Sequence, residues 1–348
     1  MRTVPFLIVA LLVGGLVFAA GLATGNDYVF FAGYVVLQYV VLSTAWNILG
    51  GYCGYVNFGT AAFFAIGAYS TVAIYKLIDS NELPHVAPMP VLMLVGGVVS
   101  GLIGLGMGYL TLRLRGAFFS IATLALAVVL QTLVVNWDFV GGSRGAYILR
   151  PETIALLGSY IRYLFLMMML LAIAALAIAR LIERSRLGYG LATIRDDELA
   201  AEAAGVPTLR LKLIATTISG ALMGMAGAPF PYYIAYLQPD STFALDYAVN
   251  SIAMPLIGGT STWIGPLIGS VLLGSLQQII TVTISSAVNL LLVGLLLVAF
   301  VIVAPNGIIG LVHKYLQHKG DDFVGRRHVG LDAPGAAADA GAAPETPS

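Results

Sequence analysis

The residues with chemical potential in this chain are few and mostly far apart. The four histidines, His85, His313, His318 and His328, are too scattered to read as a metal site. The single cysteine, Cys53, cannot form an internal disulfide. A phosphate-cradling loop needs Gly-Lys followed by Ser or Thr. Lys76, Lys212, Lys314 and Lys319 instead follow Tyr, Leu, His and His, so no such loop exists. The one dense group of charges is Arg195, Asp196, Asp197 and Glu198, with Glu202 one helical turn further on. Residues Leu191 to Ala204 have helix-forming composition, Gly205 then stops the helix, and Pro207 prevents its continuation. What a short charged helix offers is recognition, by docking into a groove on a partner. Composition alone fits an ordinary solvated interfacial helix equally well.

The elements that must carry this segment are apolar. Of 348 residues, 59% are hydrophobic and 10% are charged, where a soluble domain is nearer half and a quarter. With about 205 apolar positions and roughly 20 residues per crossing, about ten spanning helices fit. The chain reads as an all-α polytopic membrane protein. Net charge is zero, which gives no reason to expect nucleic-acid binding. Apolar runs place the spans near 4–23, 28–49, 56–78, 91–112, 117–136, 159–181, 210–232, 246–258, 262–283 and 286–304. The first run is longer than a signal-peptide core and is read as a retained helix. The eighth is short and contains Pro255, which points to a broken or partly re-entrant helix.

Alternating spans with both termini inside put thirteen Lys and Arg on cytoplasmic segments and four on the outside. Residues 183–209 then form one long polar cytoplasmic loop within a permease domain over 1–319. Residues 320–348, rich in Ala, Gly and Pro, read as a disordered cytoplasmic tail. Gly97 and Gly101, like Gly104 and Gly108, lie four apart on one helix face and predict close helix packing. Gly50-Gly51 and Gly258-Gly259 each interrupt an apolar run on the cytoplasmic side. Trp46, Trp137 and Trp263 fall near span ends and read as interfacial anchors.

Ion-coupled carriers keep ionisable residues within their spans to bind the driving ion. Here the deep segments hold almost none, and no cluster of His, Asp, Glu or Cys sits at membrane depth as an enzyme would need. The spans read as a scaffold and a path. Asn47, Asn57, Thr60 and Asn250 are the candidate wall residues of that path, although single amides and hydroxyls in such helices mostly bond neighbouring helices.

The stretch SRLGYGLATIRDDELAAEAAGVPTLRLKLIATTISGALMGMAGA (185–228) resembles the cytoplasmic-loop signature of branched-chain amino acid ABC transporter permeases of the LivM type. NILGGYCGYVNFGTAAFFAIGAY (47–69), LRLRGAFFSIATLALA (112–127), GGSRG (141–145), IGGTSTWIGPLIGS (257–270) and APNGIIGL (304–311) agree in order and spacing. Members of that family commonly have Ser-Leu-Gly-His or Ser-Leu-Gly-Gln where this chain has Asn57-Phe58-Gly59-Thr60. The resemblance implies one half of an ATP-driven importer pore in a prokaryotic inner membrane, in contact with lipid. Its implied partners are a second, non-identical permease, two cytosolic ATPase subunits that bind ATP and Mg, and an external solute-binding protein. Arg195 to Gly205 would be the coupling helix seated on an ATPase, and this chain would be no enzyme and hold no cofactor. Branched-chain amino acids are the implied solutes, and urea, short amides or small aromatic acids suit the same architecture. A stand-alone secondary transporter or channel is the competing class, and the lack of intramembrane carboxylates counts against it.

Overall fold

A computed structural model of the chain describes residues 3–79, 88–149, 153–154, 158–283, 291, 294–295, 298 and 307–311. Helices α1 (Thr3–Ala23), α2 (Asp27–Cys53), α3 (Thr60–Asp79), α4 (Met89–Thr111) and α5 (Ala117–Val135) come first. Two single 3-10 turns and the short strands β1 (Ala146–Tyr147), β2 (Thr153–Ile154) and β3 (Gly158–Ser159) lead to α6 (Tyr160–Glu183). The rest runs α7 (Arg186–Asp196), α8 (Glu198–Ala203), α9 (Thr208–Gly227), α10 (Phe230–Ile234), β4 (Tyr236–Leu237), α11 (Pro239–Thr242), α12 (Leu245–Gly258) and α13 (Ile264–Thr283). Among the described residues, eight stretches are long and apolar enough to cross a membrane. The tenth expected span, 286–304, lies largely outside the described residues, and the tail 320–348 wholly outside them.

Helix α2 is the centre of the bundle. Asn26 caps its start by accepting the Tyr28 N–H at 2.9 Å, and Asp27 complements the helix dipole. Gly54, in the left-handed region at φ 79°, ends it. Every residue from Val40 to Leu49 is buried, because α6, α9, α12 and α13 all pack around this helix. The chain then runs through residues 54–59 without helix before α3 begins. Trp46 donates its indole N–H to the Asn57 carbonyl at 2.9 Å, so this stretch folds back alongside α2. Trp46 is therefore buried, and its expected place at the membrane interface is not what the fold gives it.

Helices α3, α4 and α9 form a second, tighter unit in which glycine replaces side chains between the helices. The α4 glycines Gly96, Gly97, Gly101, Gly104 and Gly108 all face α9, as their spacing predicts. A Cβ on Gly67 of α3 would overlap the backbone of Gly224 in α9, and one on Gly227 would overlap the Phe64 carbonyl. Large apolar side chains point outward from α1 (Leu12, Leu16), α4 (Leu94, Leu102) and α5 (Phe118, Ile121), as a hydrocarbon solvent requires.

Helix α12 is a single helix with Pro255 inside it, not the broken span that its proline predicts. Its 14 residues reach only about 21 Å, short of a hydrocarbon core of about 30 Å. The irregular backbone sits instead just before it, in α10, β4 and α11. Glycines then let the α12–α13 turn close tightly: a Cβ on Gly258 would overlap the Gly265 carbonyl, and one on Gly265 that of Gly259.

The connections sort into two ends. At one, β1 pairs antiparallel with β4, and Arg162 bridges Asp27 at 2.7 Å. At the other lie residues 54–59, the α4–α5 turn, the 183–209 segment and the turn after α12. This second end carries the charged segment.

Candidate functional site

The charged segment is two helices, not one. Helix α7 starts under a Ser185 cap, whose hydroxyl accepts the Gly188 N–H, and is seated by buried Gly188, Leu191 and Ile194. It stops at Asp196 because Asp197 is extended (φ −159°, ψ 110°) and uses its carboxylate to accept the Ala200 N–H at 3.0 Å. An Asp side chain that bonds backbone three residues ahead opens a new helix and does not continue the old one. The expected single helix over Leu191–Ala204 is thus divided into α7 and α8. Gly205 ends α8 as expected. Its φ of 82° is left-handed, and the following Val206 N–H returns to the Ala201 carbonyl at 3.0 Å.

One of the charges, Glu198, faces inward. Glu198, first residue of α8, meets Lys212 Nζ at 2.6 Å. The Lys212 side chain is 2% exposed and that of Glu198 14%. The ammonium also donates to the Tyr55 hydroxyl at 3.1 Å and to the Leu112 carbonyl at 3.2 Å. Tyr55 in turn donates to the other carboxylate oxygen of Glu198, and its ring lies 4.5 Å beneath the ammonium. Arg115, from the α4–α5 turn, closes the outer side against Glu198 at 3.6 Å and Glu202 at 3.0 Å. Glu202 also accepts from the Thr208 hydroxyl at 2.9 Å. Burial alone would raise the Glu198 carboxyl's pKa. Donation from Lys212 and Tyr55, with the charges of Lys212 and Arg115, outweighs it and holds the group below the usual carboxylate value. Removing Glu198 would leave the buried Lys212 ammonium without its counter-ion, at a cost of about 3–5 kcal/mol, whereas Glu198 without Lys212 would keep Arg115.

Arg195 points back to the bundle, donating to the Gly51 carbonyl at 3.3 Å, and is also 3.6 Å from Asp196. Of the charged residues singled out in the sequence, Asp196 is widely exposed, its side chain 75% open, while Arg195, Asp197 and Glu202 are partly open and Glu198 is enclosed. Tyr189 and Leu199 are also open, 70% and 64% exposed, with Ala200, Ala203 and Ala204 outside as well. The residues missed in sequence are Lys212, Tyr55 and Arg115. A lysine flanked by Leu211 and Leu213 at the start of an apolar run is the signal, since such a charge needs a buried counter-ion.

A second anchor holds the α12–α13 turn. Glu183 accepts the Trp263 N–H at 2.8 Å and the Tyr52 hydroxyl at 3.4 Å. Arg180 stacks over Phe6 and Trp263 at 4.5 and 5.3 Å. Trp263 therefore locks onto α1 and α6, while Trp137 lies half exposed at the other end as expected.

Three of the four candidate wall residues are buried within the chain and the fourth, Asn250, is partly buried. Asn57 is buried, and its carboxamide oxygen accepts the Gly59 N–H at 2.7 Å to close the turn into α3. Thr60 follows it, fully buried in the first turn of α3. Asn47 donates to the Thr262 carbonyl at 3.5 Å. Asn250 lies deeper, accepting from Gln277 at 2.8 Å and donating to Tyr39 at 3.4 Å. Among the described residues no group of His, Cys, Asp or Glu is placed to hold a metal ion.

Residues 28–301 match the family described as branched-chain amino acid transport system / permease component. The high-affinity branched-chain amino acid transport system permease protein LivM of Salmonella typhimurium is 27% identical over 322 residues, covering 84% of this chain and 72% of the relative. Its Escherichia coli counterpart is 26% identical over 314 residues, covering 82% and 71%. A probable branched-chain amino acid transport permease protein LivH of Methanocaldococcus jannaschii is 23% identical over 274 residues, covering 75% and 85%. No solved structure gives a significant match.

Proposed function

The chain belongs to the branched-chain amino acid transport permease family, and from that premise we propose that it is one pore-forming subunit of an ATP-driven importer. The solute proposed is a branched-chain or related amino acid, delivered by an external binding protein. Because relatives of both LivM and LivH kinds match this chain, the second pore subunit is proposed to be a related, non-identical permease. Two cytosolic ATPases bind and hydrolyse ATP with Mg, since this chain has no Gly-Lys-Ser/Thr loop of its own. The location proposed is the prokaryotic inner membrane, with both termini cytoplasmic. Asn47, Asn57, Thr60 and Asn250 are kept as proposed path residues.

The observation that carries this reading is the pair of helices α7 and α8. They present Tyr189, Asp196 and Leu199 to the outside, and Arg195, Glu198 and Glu202 tie them to the rest of the chain while Arg195 and Glu202 stay partly open. Exposed Tyr189 and Leu199 on a charged pair of short helices suit a groove on a partner. The test is mild-detergent purification of the tagged chain from its host, with mass spectrometry of what accompanies it. An ATPase and a second permease are expected. The variant Tyr189→Ala/Asp196→Ala/Leu199→Ala should insert normally yet lose the ATPase. Gradient-driven uptake by the isolated chain in liposomes, without ATP, would overturn the reading.

A further inference from the structure

We infer that α8 is the moving piece of the charged segment, and that Lys212, Glu198 and Tyr55 form the joint through which its displacement enters the bundle. The inference rests on the importer reading above. Helix α7 is seated by buried apolar groups and tied to the end of α2 through Arg195. Helix α8 is different: Ala201 is its one buried residue, and its hold on the bundle is otherwise polar. The extended residue Asp197 separates the two.

All three ammonium protons of Lys212 are committed, each to a different part of the fold. One goes to Glu198 of α8, one to Tyr55 in the 54–59 connection, and one to the Leu112 carbonyl that follows α4. Tyr55 donates back to Glu198, which closes the ring of bonds. A lysine in water is a flexible tether, but here every proton is pinned in a site of low dielectric, where each bond is stronger and each loss dearer. Arg115 clamps the two α8 carboxylates from outside. A pull on α8 therefore reaches α9, the end of α4 and residues 54–59 together. The last of these leads straight to Asn57 and Thr60. Lys212, Glu198 and Tyr55 are positioning residues, acting on the path without touching solute.

The test uses the full complex with its ATPases and second permease in proteoliposomes, with Cys53→Ser and Val56→Cys in this chain. Val56, partly exposed in the 54–59 connection, reports through its rate of maleimide labelling with and without ATP, while ATP hydrolysis is measured on the same vesicles. In the reference protein ATP should change the labelling rate. Replacing both ends of the pair, Lys212→Met with Glu198→Gln, strands no charge. It should leave hydrolysis intact while the ATP-dependent change falls about tenfold, within the usual range of coupling between sites. Tyr55→Phe removes one hydroxyl and should act in the same direction, so it decides the matter if the paired variant fails to assemble. An undiminished ATP-dependent change in either assembled variant overturns the joint. If the reference protein retains no ATPase and shows no response to ATP, the importer reading falls, and the joint with it.

Discussion

Gly67→Ala should be among the most damaging single-methyl changes in this protein, and Gly106→Ala should be harmless or helpful. The two substitutions are chemically identical and both sit in apolar helices. At Gly106 an added Cβ meets nothing within 4 Å, so the change keeps only the helix-propensity gain of about 0.5–1 kcal/mol. At Gly67 the Cβ would overlap the carbonyl and Cα of Gly224, which are backbone and cannot swing aside. Ordinary contact starts near 3.4 Å, so α3 and α9 would have to part by more than an ångström. The parting would also loosen α4, because Gly96 lies 3.1 Å from the Gly224 carbonyl by the same measure. Overpacking of this kind costs about 1–3 kcal/mol, and the rigid partner places Gly67 at the top of that range. After the propensity gain the net loss is about 2 kcal/mol, which separates the two variants by about 3 kcal/mol. Thermal unfolding of both variants in one detergent, side by side with the parent, measures the gap. Equal midpoints for Gly67→Ala and Gly106→Ala would refute the backbone-contact account of this unit.

Asp197→Ala should cost about 1 kcal/mol and speed amide exchange in α8, with α7 unaffected, because only α8 depends on that cap. The Glu198 pKa is lower folded than unfolded, so its stabilisation is complete above the ordinary carboxylate value of about 4.3 and is lost as pH falls through the folded value. Proteolysis of the 183–209 segment should accelerate in that acid window, and Glu198→Gln should abolish the dependence. Glu183→Ala leaves the Trp263 N–H without its acceptor, a loss of about 1–3 kcal/mol. A shift in tryptophan emission at lower denaturant than the parent requires would report it, and an unchanged midpoint would count against the anchor.

Much of the architecture was legible because apolar runs of membrane length leave few alternatives. Nine expected spans meet helices within a few residues, and the α4 glycine spacing foretold its face. What the sequence hid were the consequences of chain reversal. Trp46 lies near the end of an apolar run, where anchoring is the local expectation. It is buried because residues 54–59 turn back beside it, which no window around Trp46 records. The charged segment misled differently. Its composition is helical throughout, yet Asp197 has a backbone N–H three residues ahead to bind and takes it. Lys212 stands two residues after Arg210 at the start of an apolar run, where nothing local marks the partner that buries it. Its hydroxyl partner Tyr55 is 157 positions away, so the pairing that buries it exists only once α2, α4 and α9 have assembled. The family resemblance supplied the importer reading that local residue chemistry alone left open.

The glycine contacts of α3, α4 and α9 have a mechanical consequence. Side chains between helices act as a compliant layer that lets one slide or tilt against another. Here the backbones meet directly at Gly67, Gly224 and Gly96, so that layer is missing and the three helices should move as one body. Helix α9 alone spans 20 residues, about 30 Å. A tilt of about 5° about its Lys212 end therefore sweeps the opposite end through about 2–3 Å, a lever that enlarges a small motion at the charged end without absorbing it.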